Sequence, residues 1–285
     1  MTEINRVGIV GSGIMGSGLA EVAARAGHDV VVRSRTQDGA DGVVAGMTKN
    51  LTKQVEREKL TAEERDAILD RVTATDHLGR LADCDLVIES VVEDLDVKKA
   101  LFAELEQIVK PDGILATNTS TLPVVELAMV TDRPDQVCGI HFFNPAPVMK
   151  LVEVVRPITA SDATIAAATS FAARCDKDAV EVLDRAGFVV NALLFPYLNN
   201  AVRMLEQGTA SRDDIDTAMK GGCGFPMGPF ALLDLVGLDT SLAILDALYD
   251  EFRDPNYAAV PSLRRMVAAG RLGRKSGLGF YDYAR

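Results

Sequence analysis

Residues 6–16 read RVGIVGSGIMG, and this stretch decides the fold. Arg6 to Val10 is a β-branched run of the kind that suits a buried strand. GSGIMG follows at once with G-x-G-x-x-G spacing, and Ile14 to Ala26 continues as an Ala-rich helical pattern. A strand, this loop and a helix in that order form a dinucleotide-binding turn. Gly11 permits the tight turn. Gly13 lacks a Cβ, so a pyrophosphate can approach the backbone, and Gly16 lets the helix pack on the strand. Ser12, Ile14 and Met15 fill the loop, and the helix N-terminus offers its N–H groups to the phosphates.

Outward from this unit the pattern repeats. Apolar runs recur at Asp29–Val32, Asp85–Glu89, Gly113–Thr117, Val137–Phe143, Leu151–Val155 and Ala179–Leu183, separated by helical stretches. Strands alternating with helices predict an α/β fold with a Rossmann-type, doubly wound, mostly parallel sheet. After Gly187 the strands stop. Phe188–Glu206, Ser211–Lys220, Ala231–Tyr249 and Ser262–Ala269 all read as helix. The expected division is a dinucleotide-binding domain over residues 1–185 and an all-α domain over 186–285, the boundary lying in DRAG at 184–187.

Composition narrows the function. The chain has 30 Lys+Arg against 41 Asp+Glu in 285 residues, a net charge of −11, which argues against nonspecific nucleic-acid binding. No run of about 18 apolar residues suggests a membrane span, and the strand begins too early to leave room for a signal peptide. A cytoplasmic protein is expected. Cys84, Cys138, Cys175 and Cys223 are scattered without a CxxC, so neither a disulfide framework nor a metal site is expected.

Two further stretches place polar groups at strand carboxyl ends, where open α/β sheets bind ligands. They are TNTSTLP at 117–123 and HFFNPAP at 141–147. In KLVEVV at 150–155, Glu153 stands among apolar residues, and a buried carboxylate is costly unless paired. His141, at the end of the neighbouring run, is the obvious partner, and such a pair is a base held in one tautomer. At the end of the second strand, VVVRSRT carries Ser34 and Arg35 where an NAD site places a carboxylate. A missing anion and an added cation favour a 2′-phosphate, so NADP(H) is the expected preference.

With these motifs in place the chain resembles the L-3-hydroxyacyl-CoA dehydrogenase family, particularly its short bacterial 3-hydroxybutyryl-CoA dehydrogenases. The resemblance runs through VGIVGSGIMGSGLA, DLVIESVVEDLDVKKALFAEL, ILATNTSTLP, GIHFFNPAPVMKLVEVV, GFVVNALL, PMGPFALLDLVGLD and LGRKSGLGFYDY. It implies interconversion of (S)-3-hydroxyacyl-CoA and 3-oxoacyl-CoA with NAD(P), and a homodimer through the helical domain. It casts His141 as catalytic base and Glu153 as the carboxylate that orients it. Ser120 and Asn191 match substrate contacts. Glu93, Lys98, Ser120, Asn144 and Lys275 match cofactor contacts, and Asn50, Lys53 and Arg57 match the helical region that approaches coenzyme A. Lys53 and Arg57, at i and i+4, share a helix face. The run FALLDLVGL suits a dimer interface or a helical core equally. Two departures stand out: the family usually has Asp where this chain has Ser34, and often Arg where it has Ala192. Other readings remain: a β-hydroxyacid dehydrogenase using Lys220, which leaves the His141–Glu153 pair without a role, and a nucleotide-binding sensor without activity.

Overall fold

A computed structural model describes residues 3–284. The chain divides into two compact units, with the break between Asp184 and Arg185.

The first unit runs β1 (Arg6–Val10), α1 (Ile14–Arg25), β2 (Asp29–Arg33), α2 (Gln37–Glu56), α3 (Ala62–Leu69), β3 (Val72–Thr75), β4 (Leu86–Glu89), α4 (Leu95–Ile108), β5 (Ile114–Thr117), α5 (Val124–Ala128), β6 (Val137–Phe142), β7 (Leu151–Arg156), α6 (Asp162–Arg174) and β8 (Asp178–Leu183). The sheet order is β3-β2-β1-β4-β5-β6-β7-β8. Every neighbouring pair is parallel except β6–β7. The order reverses between β1 and β4, and a ligand crevice opens at such a switch point, beyond the strand carboxyl ends. β4, β5 and β6 are buried along their whole length, which explains their unbroken apolar runs: helices cover both faces. On one face Leu19, Ala23, Val30, Ile88, Ile140 and Phe171 meet in a single core. The small residues of α1 let that helix lie close to the strands.

The sequence reading lacked β3. Its four residues, VTAT, have no apolar run and are mostly half-exposed at the sheet edge, where they hydrogen-bond β2 alone.

The second unit is helical: α7 (Val190–Glu206), α8 (Arg212–Cys223), α9 (Pro229–Val236), α10 (Leu238–Phe252) and α11 (Pro261–Ala268). The stretch Ala231–Tyr249, read from sequence as helix-like, is broken. Gly237 has φ 102°, a left-handed conformation that ends α9 and starts α10 at a new angle. Phe230, Leu233 and Leu238 from FALLDLVGL are buried with Phe195, Leu198, Leu245 and Leu263, so the run builds this unit's own core. Two buried carboxylates fasten the unit. Asp216 accepts the N–H groups of Phe230 and Ala231 at the start of α9, and Asp234 accepts those of Phe280 and Tyr281. Among the described residues no helix is long and apolar enough to cross a membrane.

Candidate active site

The nucleotide loop sits between β1 and α1. Gly11 has φ 131°, and a Cβ there would lie 2.2 Å from the Ser90 carbonyl oxygen, so only glycine fits. A Cβ on Gly16 would lie 2.1 Å from the Gly11 carbonyl oxygen. The closest contact that Gly16 permits is therefore with the loop backbone at Gly11. Gly13 faces open space and precedes α1 as its N-cap, with no side-chain hydrogen bond and no acidic residue in the first turn. Ile14 and Ser12 are exposed beside it, with Met15 half-buried. A helix N-terminus without a cap, reached past a side-chain-free residue, fits a dinucleotide pyrophosphate.

At the end of β2, Ser34 is buried, and its hydroxyl lies 2.9 Å from that of Ser12 in the loop. Arg35 is exposed and makes no ion pair among the described residues.

The turn after β5 and the antiparallel pair β6–β7 bring the reactive groups together. His141 and Glu153 are direct cross-strand partners in the register. His141 Nδ1 lies 2.8 Å from Glu153 Oε2, and both side chains are buried. A carboxylate only accepts here, so Nδ1 donates to Glu153 and Nε2 is left to face Ser120. Nε2 lies 3.1 Å from Ser120 Oγ. The Phe143 ring packs on the imidazole with centroids 4.5 Å apart. Asn144, next after Phe143, is exposed in the loop to β7.

Glu93 and Lys98 flank the same turn. Glu93 accepts the Ser120 N–H at 2.9 Å and the Thr119 hydroxyl. Lys98 is buried, with its ammonium 2.6 Å from Glu89 and 3.2 Å from Glu93. Its place is therefore behind Glu93, and its charge is already engaged by two carboxylates. Sequence reasoning missed Glu89, Thr117 and Thr119. The signal for Glu89 was present, since it is a carboxylate closing the apolar run LVIE.

A cleft of about 530 Å³ opens between α1, α2, the loop before β7 and the α6–β8 turn. Asn50, Gln54 and Arg57 line it from the α2 side, with Arg25, Lys59, Lys150, Arg174 and Lys177. Glu21 and Asp176 are the acidic residues of that lining. This is a basic patch on an acidic protein. Lys53 is exposed but does not line the cleft, and Arg57 is the C-cap of α2, so the pair expected on one face separates. The other basic residues were invisible in sequence because they come from four segments. Lys177 Nζ bonds the carbonyls of Ala146 and Met149, and burial lowers its pKa.

In the helical unit, Asn191 lies buried in the first turn of α7, and Lys275 is ion-paired with Asp239. Lys220 is on α8. His28 and His77 are both away from the reactive turn: His28 is buried against Phe171, and His77 is exposed beside Asp76. Burial raises the thiol pKa of Cys84 to about 11, and those of Cys138 and Cys175 to about 12, so none is a ready nucleophile.

The comparisons with known proteins agree with this geometry. Residues 6–185 match the NAD binding domain of 3-hydroxyacyl-CoA dehydrogenase, and residues 187–283 match its C-terminal domain. A 3-hydroxybutyryl-CoA dehydrogenase of Mycobacterium tuberculosis is 49% identical over 282 residues, spanning 98% of this chain and 99% of that one. Another, from Clostridioides difficile, is 47% identical over 278 residues, with 98% and 99% covered. The crystal structure of (S)-3-hydroxybutyryl-CoA dehydrogenase from Ralstonia eutropha superimposes with TM-score 0.97 at 41% identity, covering 99% of this chain and 100% of that one. A two-unit chain with this nucleotide loop and this buried histidine–carboxylate pair, matched over nearly all its length, belongs to the 3-hydroxyacyl-CoA dehydrogenase family.

Proposed function

We propose that the chain interconverts (S)-3-hydroxybutyryl-CoA and acetoacetyl-CoA, with NADP(H) preferred over NAD(H). The observation that carries the reading is the His141 imidazole, held by Glu153 at Nδ1 with its Nε2 turned to Ser120. Nε2 takes the proton of the substrate 3-hydroxyl in oxidation and returns it to the 3-oxo oxygen in reduction. Glu153 offsets the positive charge that then forms on the ring. The Ser120 hydroxyl hydrogen-bonds the same substrate oxygen and aligns the carbon that reacts. A bound nicotinamide cofactor supplies hydride acceptor and donor. Gly11, Ser12, Gly13, Ile14, Met15 and Gly16 hold its pyrophosphate. Glu93, Ser120 and Asn144 approach the reactive end, with Lys98 holding Glu93 from behind. The same reading keeps Asn191 as a substrate contact and Lys275 as a cofactor contact.

The basic cleft supports a coenzyme A substrate, because its phosphates need cations that the chain's −11 charge does not offer generally. Asn50 and Arg57 line it, and Lys53 serves only the approach. Ser34 and Arg35 support the NADP(H) preference, since no carboxylate there repels a 2′-phosphate. A homodimer through the helical unit belongs to the reading, supported by exposed Val189 and Leu193 at the start of α7. A cytoplasmic location belongs to it too, supported by four unpaired cysteines.

Oxidation of NADPH and NADH followed with acetoacetyl-CoA tests the activity. Turnover that depends on acetoacetyl-CoA is expected. Turnover of small β-hydroxy acids in its place would shift the assignment to the lysine-dependent class.

A further inference from the structure

The sheet buries two strand carboxylates, and the proposed reaction uses only Glu153. Glu89, at the end of β4, is 0% exposed and accepts three hydrogen bonds. Oε1 takes the Lys98 ammonium at 2.6 Å and the Val91 N–H at 2.6 Å, and Oε2 takes the Thr117 hydroxyl at 2.7 Å. Thr117 Oγ1 in turn accepts the Thr119 N–H at 3.2 Å. Glu93 holds the far end of the same turn through Thr119 and the Ser120 N–H. Lys98 reaches both carboxylates. One ammonium thus ties together the two groups that hold residues 117–120, the turn that sets Ser120 Oγ 3.1 Å from His141 Nε2.

We propose that Glu89 is a positioning residue for the reaction: by engaging Lys98 and Thr117 it keeps Glu93 on the Ser120 turn and Ser120 on His141. This rests on the reading of Ser120 and His141 as the reacting pair. A buried ion pair is poor evidence for stability, since apolar residues of similar volume often serve as well. Position gives the charge a reason. With Glu89 neutral, Glu93 is, among the described residues, the one carboxylate left within reach of the buried Lys98 ammonium. Drawn toward Lys98, Glu93 loosens from Thr119 and the Ser120 N–H, and the serine moves off Nε2. Proton transfer depends steeply on that spacing, whereas substrate affinity depends on it less, because Ser120 does not line the basic cleft proposed for coenzyme A.

The test is a pair of double-mutant cycles. Glu89→Gln and Thr117→Val are each made alone and with Ser120→Ala, and kcat and KM are measured with acetoacetyl-CoA. Thr117→Val keeps the side-chain shape and strands no charge, so it decides the matter if Glu89→Gln does not fold. Each single variant is expected to lower kcat about 10-fold, the loss for one displaced hydrogen bond, with KM within about 2-fold. In the Ser120→Ala background each is expected to cost less than about 2-fold more, because residues acting through one contact are non-additive. Unchanged kcat in the folded single variants overturns the proposal. So do losses that multiply with that of Ser120→Ala, since Glu89 then acts elsewhere. Full kcat in Ser120→Ala itself overturns the reading of Ser120 and the proposal with it. An impaired Ser120→Ala with multiplying losses overturns the proposal alone.

Discussion

Glu89 and Glu153 lie on the same sheet and are equally buried, yet their partners give them different work. Glu89 faces an ammonium, a hydroxyl and a backbone N–H. An ion pair and two further hydrogen bonds hold that arrangement in place. Glu153 faces an imidazole, the side chain whose charge ordinarily changes between pH 5 and 8. One carboxylate therefore holds a turn in place, and the other supports a group that gains and loses a proton. The strand supplies burial, and the partner decides whether burial produces a clamp or a catalyst.

The largest effect expected is on the titrating side of this comparison. His141→Ala should lower kcat by at least about 10²-fold, the low end for removing a general acid–base. Dinucleotide binding should survive, because the phosphate loop between β1 and α1 makes no use of His141. Near-normal turnover in the folded variant would end the mechanism. Glu153→Gln keeps size and hydrogen bonding but removes the charge, so a smaller loss is expected, about 10-fold, with an altered pH–rate profile. If Glu153→Gln and Glu89→Gln altered that profile alike, the distinction between catalyst and clamp would collapse.

Much of this was legible in the residues. Arg6–Val10 followed by GSGIMG leaves little freedom, because three glycines at fixed offsets serve a turn, a phosphate and a close helix. Glu153 was legible because a carboxylate inside LVEVV needs a partner, and His141 stood nearest; the cross-strand register was needed to show them face to face. Glu89 carries the same mark, but its partner Lys98 sits nine residues on, in a helix whose packing the sequence does not display. The break at Gly237 was hidden because glycine is tolerated in helices and only φ reveals the turn. The basic cleft was hidden for a different reason. Its cations come from α1, the turn after α2, the loop before β7 and the α6–β8 turn, and no local pattern joins them.

At a third strand end the carboxylate is missing. At the end of β2, Ser34 bonds Ser12, and Arg35 is exposed. A carboxylate at this position would accept from the NAD ribose and repel the NADP phosphate. With neither effect present, and Arg35 available to the phosphate, kcat/KM should favour NADPH by about 10-fold, the value of one charge-assisted hydrogen bond at its low end. Ser34→Asp should reverse the order, and Arg35→Ala should erode it. A clear NADH preference in the unmodified chain would remove this inference and leave the dehydrogenase assignment standing.

A smaller effect belongs to the cleft, where charges are exposed and screened by salt. Arg57→Ala should raise KM for acetoacetyl-CoA about 2- to 5-fold, as expected of one surface charge, and leave KM for the dinucleotide alone. Lys53→Ala should do less, because Lys53 does not line the cleft. Equal effects from the two would mean that general field matters and the cleft does not.

His28 completes the series as a buried ionisable group packed against Phe171. Burial first, and the nearby Arg174 charge second, lower its pKa from 6.5 to about 4. In the unfolded chain the imidazole takes a proton below pH 6.5, whereas the folded chain refuses it until about pH 4. Stability from this group is therefore undiminished at pH 7 and falls as the pH drops from about 6.5 to 4. Between pH 7 and 5 the linkage amounts to about 2 kcal/mol of lost stability. His28→Leu removes the titrating ring from a site beside Phe171 and should leave turnover at pH 7 unchanged. Its urea midpoint should then fall less than that of the unmodified chain between pH 7 and 5. Parallel midpoints in the two proteins would show that other groups govern the acid side. They would also show that a histidine can be buried in this core without making the fold sensitive to acid.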